Sequence, residues 1–202
     1  MELKERFYNL MSHWTNDALQ IELQWKELSA KYTESFRHYH NLAHISELLH
    51  YFDTYNSCLS HPNEVEYAIF YHDIIYNVWS KKNELNSAEL ASEYLNIATA
   101  EDFVIKRIFN LIMVTKDHTP KENENEQWMV DFDLAILGQP WERYLAYTKQ
   151  IRSEYSSVPN LLYRKGRRKV LNHFLDKQKI YHTDTFYDLY EEQARLNLRK
   201  EL

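Results

Sequence analysis

Glycine and proline are scarce in this chain, with two and four among 202 residues. Strand proteins draw on glycine-bearing hairpin turns, so the shortage argues against a turn-rich sandwich or barrel and predicts helices joined by short polar loops. Cysteine is nearly absent: Cys58 stands alone, cannot form an internal disulfide, and suits a reducing compartment. No long uncharged apolar run occurs, which predicts no membrane span. The opening Met1-Glu2-Leu3-Lys4-Glu5-Arg6 lacks the apolar core of a signal peptide, so the expected location is the cytoplasm. Positive charge is in short supply as well. A net charge of −6 argues against binding of a nucleic-acid polymer while leaving a nucleotide open as a small substrate. No phosphate-cradling glycine loop is present, so no ATP-driven step is expected.

What is present is helical periodicity. Leu3, Phe7, Leu10, Met11 and Trp14 recur at spacings of three and four, and Leu19, Leu23 and Trp25 resume after Asn16-Asp17, predicting one or two helices. Pro62 sits where a first helical turn tolerates it and opens a helix expected to run through Val65, Ala68, Ile69, His72 and Ile75. Asn77 to Asn86 reads as a polar loop holding Glu84, followed by helices over Ser87–Ala98 and Phe103–Val114. Pro120 precedes a charged, Asn-rich loop from Lys121 to Glu126. The last third, rich in tyrosine and arginine, ends in a packing helix from Asp184 to about Leu198. No repeat or interdomain linker is visible. The expectation is one all-α domain over 1–202, with a core at about 30–140 and C-terminal helices 141–202 packed on it.

The chemistry-bearing stretch is Phe70-Tyr71-His72-Asp73-Ile74-Ile75-Tyr76. Neutral imidazole and carboxylate are both good ligands for a divalent ion, and adjacent placement fixes two of them with one piece of backbone. Aromatic and aliphatic flanks would bury the pair, where an unpartnered carboxylate is costly; a structural His-Asp hydrogen bond is the competing explanation. Arg37-His38-Tyr39-His40-Asn41-Leu42-Ala43-His44 places His40 and His44 one turn apart if it is helical, with Arg37 a turn earlier and able to fork onto phosphate oxygens. His38 and His50 fall off that stripe and read as surface residues. His118 sits between a buried helix and the charged loop. Val130-Asp131-Phe132-Asp133-Leu134-Ala135-Ile136-Leu137-Gly138 puts two acids in an apolar helix expected to end at Gly138, ahead of Pro140. They diverge by about 200°, so only one can face a shared site; Asp133, preceding Ala135-Ile136-Leu137, is the choice.

In this order, His40 with His44, then His72-Asp73, then Asp133 resembles the HD superfamily of metal-dependent phosphohydrolases: a His, a His-Asp pair and a distant Asp on a helical bundle. Arg37 ahead of His40, the Asn41-Leu42 pair, and Asp131-Phe132-Asp133 with its second acid as ligand extend the likeness. So do Ile151-Arg152-Ser153-Glu154-Tyr155 and Ala194-Arg195-Leu196-Asn197-Leu198, shared with a bacterial subgroup of similar length. The resemblance implies a helical bundle of the HD type holding one or two divalent ions (Mn, Fe, Co, Ni, Zn or Mg) on His40, His72, Asp73 and Asp133. Asp73, Arg37, His44, His118 and Glu84 are the candidate catalytic or phosphate-contacting residues. Whether His40 or His44 is the first ligand stays open. The implied activity is hydrolysis of a small phosphate ester, a nucleotide among the candidates. Alternatives are an HD-fold diiron oxygenase and a non-catalytic metal- or nucleotide-binding protein. The tyrosine-rich surface leaves room for a homodimer contact.

Overall fold

Six positions of one short helix, Val65 and Tyr67 to Tyr71, are fully buried, and the molecule is arranged round that helix. The computed structural model describes residues 2–121 and 123–202; the part of the expected Lys121–Glu126 loop at Glu122, like Met1, lies outside the described residues. Within them the chain is all-α, with no strand: α1 Leu3–Met11, α2 Ala18–Tyr32, α3 Leu42–Tyr55, α4 Pro62–Tyr71, α5 Asn83–Ile97, α6 Asp102–Met113, α7 Glu124–Leu134, α8 Trp141–Glu154, α9 Asn160–Asp176 and α10 Asp184–Glu201. No helix is long and apolar enough to cross a membrane.

The central helix is α4, packed by α1, α3, α5, α6 and α7. Its aromatic residues interlock: Tyr67 stacks on Tyr71 at 4.5 Å, and Phe7 of α1 meets Phe70 edge-on at 5.3 Å. Burying each such ring contributes about 1.5–3 kcal/mol. The small Ala88 and Ala91 let α5 pack closely on its neighbours.

Several boundaries differ from those read in the sequence. The Asn16-Asp17 break is real, because the Asp17 side chain accepts from Leu19 and Gln20 and starts α2. Asn83, rather than Ser87, starts α5, so Glu84 lies in a helical first turn and not in a loop. Arg37 and His40 are not helical: Asn41 caps α3 through Ala43 N–H, and the residues before it form an irregular turn. The α6 helix stops at Met113 and passes into a tight 3-10 turn, Val114–Lys116.

The C-terminal helices dock through the turn Ala135–Gly138, against which both α8 and α10 pack. Gly138 is required there by close approach: a Cβ at this position would lie 2.5 Å from Tyr190 Cβ and 2.8 Å from its carbonyl oxygen. One residue of α7 completes the docking. The buried Asp131 carboxylate accepts from His182 N–H, Thr183 N–H and the Thr183 hydroxyl at 2.7–2.8 Å, and Thr183 Oγ1 in turn caps α10 at Phe186.

Candidate metal centre

Four segments far apart in the chain meet at one cup: the turn before α3 with its first residues, the end of α4, the turn after α6, and the end of α7. At its floor lie His44 and His72, whose side chains are 0% and 1% exposed. The rim is formed by His40 (19%), Asp73 (16%), Asp133 (15%) and His118 (20%).

The floor geometry follows from the helix ends. As the residue that ends α4, His72 has its Nδ1 at 2.9 Å from Ile69 O, an acceptor that fixes a proton on Nδ1 and aims Nε2 inward. His44, in the first turn of α3, brings its own Nε2 to 3.2 Å from His72 Nε2. Asp133 Oδ1 lies 3.5 Å from His44 Nε2 and 3.8 Å from His72 Nε2. Asp73 Oδ2 lies 3.2 Å from His72 Nε2 and 3.8 Å from His44 Nε2. Asp131, two residues from Asp133, faces the opposite way, as the helical divergence predicts.

The donor set suits a divalent ion. Ligand atoms about 2.0–2.2 Å from a shared ion are spaced about 3–4 Å from one another, the range seen here. The Nε2 atoms of two buried imidazoles face each other at 3.2 Å, and His44 Nδ1 is buried without a partner. Ring nitrogens and carboxylate oxygens crowded together in this way, behind a buried nitrogen without a partner, suit a shared cation. His44, His72 and Asp133 together could hold a metal ion.

In the bare protein the same convergence polarises protonation. Burial alone would pull His72 down, but the Asp73 and Asp133 carboxylates overcome it and raise its pKa to about 9. Burial pushes Asp73 and Asp133 up, yet the imidazoles of His72 and His40, and of His118 and His44, hold both below the ordinary carboxylate range. A proton shared in this way is what a divalent ion displaces.

On the rim, His40 Nε2 is 3.9 Å from Asp73 Oδ2, while its Nδ1 is 2.7 Å from Glu154 Oε2. Burial lowers the His40 pKa, but Asp73 and Glu154 carry it above its usual value. Glu154 is itself opposed by burial and drawn down to about 2 by His40 and the main-chain N–H groups around it. His118 Nε2 contacts Asp133 Oδ2 at 3.1 Å. Its backbone is left-handed, φ 51°, a conformation uncommon outside glycine. That turn is held by Lys177, whose Nζ donates to Asp117 O (3.0 Å), His118 O (2.6 Å) and Thr119 Oγ1 (3.3 Å).

Two expectations need correction. Arg37 is fully buried and spends its guanidinium on the main chain: Nη1 donates to His40 O (3.1 Å) and Asp73 O (2.7 Å), Nη2 to Ile74 O (2.8 Å), and Nε to Glu34 (3.2 Å). With four of its five N–H donors engaged and its side chain 0% exposed, it bolts the turn before α3 to the His72-Asp73 segment and presents no fork to the opening of the cup. Glu84 makes no hydrogen bond or ion pair with any residue of the cup, since the early start of α5 carries it elsewhere. His38 and His50 are exposed, as expected from their register.

The residue that sequence reading missed is Glu154. A signal for it exists: along α8 the buried stripe Tyr144, Ile151 ends on this acid, and a carboxylate on a buried stripe demands partners. No protein-family model, curated protein or solved structure matches this chain.

Proposed function

We propose that the cup is a divalent-metal site and that the chain is a metal-dependent hydrolase of small phosphate esters, as the resemblance to the HD superfamily implies. The observation that carries this reading is the convergence of two buried imidazole nitrogens and two carboxylates into a cup open on one side. We assign His44, His72, Asp73 and Asp133 as the ligands, which makes His44 the first histidine of the pattern and moves His40 to the rim. Two carboxylates balance a divalent charge, and a nitrogen–oxygen donor set suits Mn, Fe, Co, Ni or Zn, with Mg the oxygen-preferring outlier.

The chemistry supplied there by a divalent ion is Lewis acidity toward a phosphoryl oxygen and toward water. In the hydrolysis, a water oxygen bonds to phosphorus, the bond from phosphorus to the ester oxygen breaks, one proton leaves the water and one joins the departing oxygen. The residues divide this work by position. Asp73, at the rim, accepts the proton from the attacking water. Asp133 is oriented by His118 through Oδ2, leaving Oδ1 for the floor. His40 and His118 flank the opening, where they contact the phosphoryl group or the departing oxygen.

A second reading draws on the extra imidazoles. His118 against the outer oxygen of Asp133 and His40 near Asp73 offer donors for a second ion, the arrangement a diiron oxygenase needs. Elemental analysis of protein purified without an affinity tag separates the readings. One or two equivalents of a transition metal, lost in His72→Ala/Asp73→Ala, together with turnover of a phosphate-ester panel, is the expected result. Two irons with dioxygen-dependent turnover selects the redox reading. Metal without turnover of any ester leaves a binding protein, and no metal even after addition of Mn, Zn or Mg removes the site.

A further inference from the structure

The turn before α3 presents three successive main-chain N–H groups, those of His38, Tyr39 and His40, to a single point, a concavity that binds an anion. The anion is supplied by the chain itself. Glu154, at the end of α8 and with a side chain 0% exposed, accepts all three on Oε1 at 2.9, 2.8 and 2.9 Å. Its other oxygen, Oε2, takes His40 Nδ1 at 2.7 Å and the Tyr76 hydroxyl at 2.9 Å. The Tyr76 ring lies over the His40 ring at 4.4 Å and closes the arrangement from the side.

A carboxylate can only accept, so Nδ1 is the donor and the proton of a neutral His40 is placed there. Nε2 is then the free nitrogen, and it is the one that faces the cup, 3.9 Å from Asp73 Oδ2. The same carboxylate fixes the backbone that carries the ring, the ring's rotation and the nitrogen it presents. Such control is more than packing requires, because an apolar residue at position 154 with a differently closed turn would seal α8 equally well.

We infer that Glu154 is the positioning residue of His40: it holds this imidazole in the Nδ1–H tautomer with Nε2 aimed at the cup, so that α8 belongs to the working site. The kinetic consequence rests on the phosphohydrolase reading above; the tautomer does not.

Glu154→Gln provides the test. Its Oε1 still accepts the three main-chain N–H groups, while an amide replaces Oε2 and donates toward His40 Nδ1, which forces the proton to Nε2. Long-range 15N–1H correlation of the His40 ring, recorded at a pH where the ring is neutral, reads the outcome directly. Wild type is expected in the Nδ1–H form and Glu154→Gln in the Nε2–H form. A wild-type ring protonated on Nε2 overturns the inference without any variant, and so does an unchanged tautomer in Glu154→Gln. In turnover of p-nitrophenyl phosphate, Glu154→Gln is expected to lower kcat about 10- to 100-fold with metal content and KM little changed. It should add nothing in a His40→Ala background. Equal kcat in wild type and Glu154→Gln, or additive losses in the double variant, also overturns it. If wild type hydrolyses no ester, the phosphohydrolase reading fails while the ring tautomer still decides the role of Glu154.

Discussion

The two faces of α7 carry the same side chain two residues apart and treat it in opposite ways. Toward α10, Asp131 is enclosed by three donors from His182 and Thr183 and has no lone pair aimed at open space. Toward the cup, Asp133 meets imidazoles at 3.1–3.8 Å on a surface that still reaches solvent. Titration separates them as well: burial lifts the Asp131 carboxyl to about 6 against its hydrogen bonds, whereas imidazoles drive Asp133 well below the usual range. The lesson is that burial of a charge does not mark a functional residue. What distinguishes the cup is that several imidazoles and carboxylates converge on one another at a surface that still reaches solvent, an arrangement that could hold a cation.

The largest effect expected from that contrast is in the paired substitutions. Asp133→Asn should abolish metal retention and lower phosphate-ester turnover by about 10³-fold or more while leaving helicity and the unfolding midpoint close to wild type. Asp131→Ala should keep the metal and cost about 2–4 kcal/mol of stability, because the Thr183 cap and two buried N–H groups lose their acceptor. Metal analysis and urea unfolding on both variants check the pair. If Asp131→Ala lost metal at full stability, the division of α7 into two faces would be wrong.

Arg37 tests whether proximity to the cup implies a role in chemistry. Its donors are spent on the carbonyls of His40, Asp73 and Ile74, so it resembles Asp131 in function despite its location. Arg37→Met should cost about 2–4 kcal/mol, with metal affinity falling as the two ligand segments loosen. KM of the correctly loaded fraction should stay near wild type; a selective rise in KM at unchanged stability would restore a phosphate contact.

The pH dependence of the structural face follows from Asp131. Its folded pKa of about 6 exceeds the unfolded 3.8, so its contribution is fully present below about pH 4 and is lost as pH rises through about 6. Asp131→Asn has no such ionisation. The destabilisation it causes should therefore shrink by on the order of 2–3 kcal/mol between pH 4 and pH 7, read from urea midpoints at each pH. A destabilisation that grows over this interval would mean that the three donors, and not burial, control the carboxyl.

Much of this division was legible beforehand. The angular step of a helix allowed only one of Asp131 and Asp133 to face a shared site, with the apolar run after Asp133 favouring it, and the aromatic flanks bury His72 while leaving Asp73 half-buried. The all-α architecture followed from scarce glycine and helical periodicity. The destination of Arg37 was not legible, since it depends on the turn at 37–40 meeting residues 73–74, a long-range contact that no local pattern encodes. The assignment of His44 to the floor and His40 to the rim turned on where α3 begins. Asn41 is a good cap residue, and reading it as one would have ended the assumed helical register between the two histidines. Glu154 was hidden among tyrosines and arginines whose charge suggested a solvated surface.

The smallest effect concerns the reach of the C-terminal helices into the cup. Lys177, between α9 and α10, holds two carbonyls and a hydroxyl of the turn that keeps His118 left-handed. A left-handed non-glycine residue costs about 1 kcal/mol and persists only where its surroundings enforce it. Removing the ammonium in Lys177→Met should let the turn relax and His118 withdraw from Asp133 Oδ2. Because His118 contacts Asp133 from the rim and is not itself on the floor, the proposed metal stoichiometry should hold while kcat falls a few-fold. Lys177→Arg, retaining donors of different shape, should fall between the two. If Lys177→Met matched wild type in kcat while His118→Ala did not, the turn would be held by the α7 side alone. The cup would then depend on the C-terminal third only through Glu154.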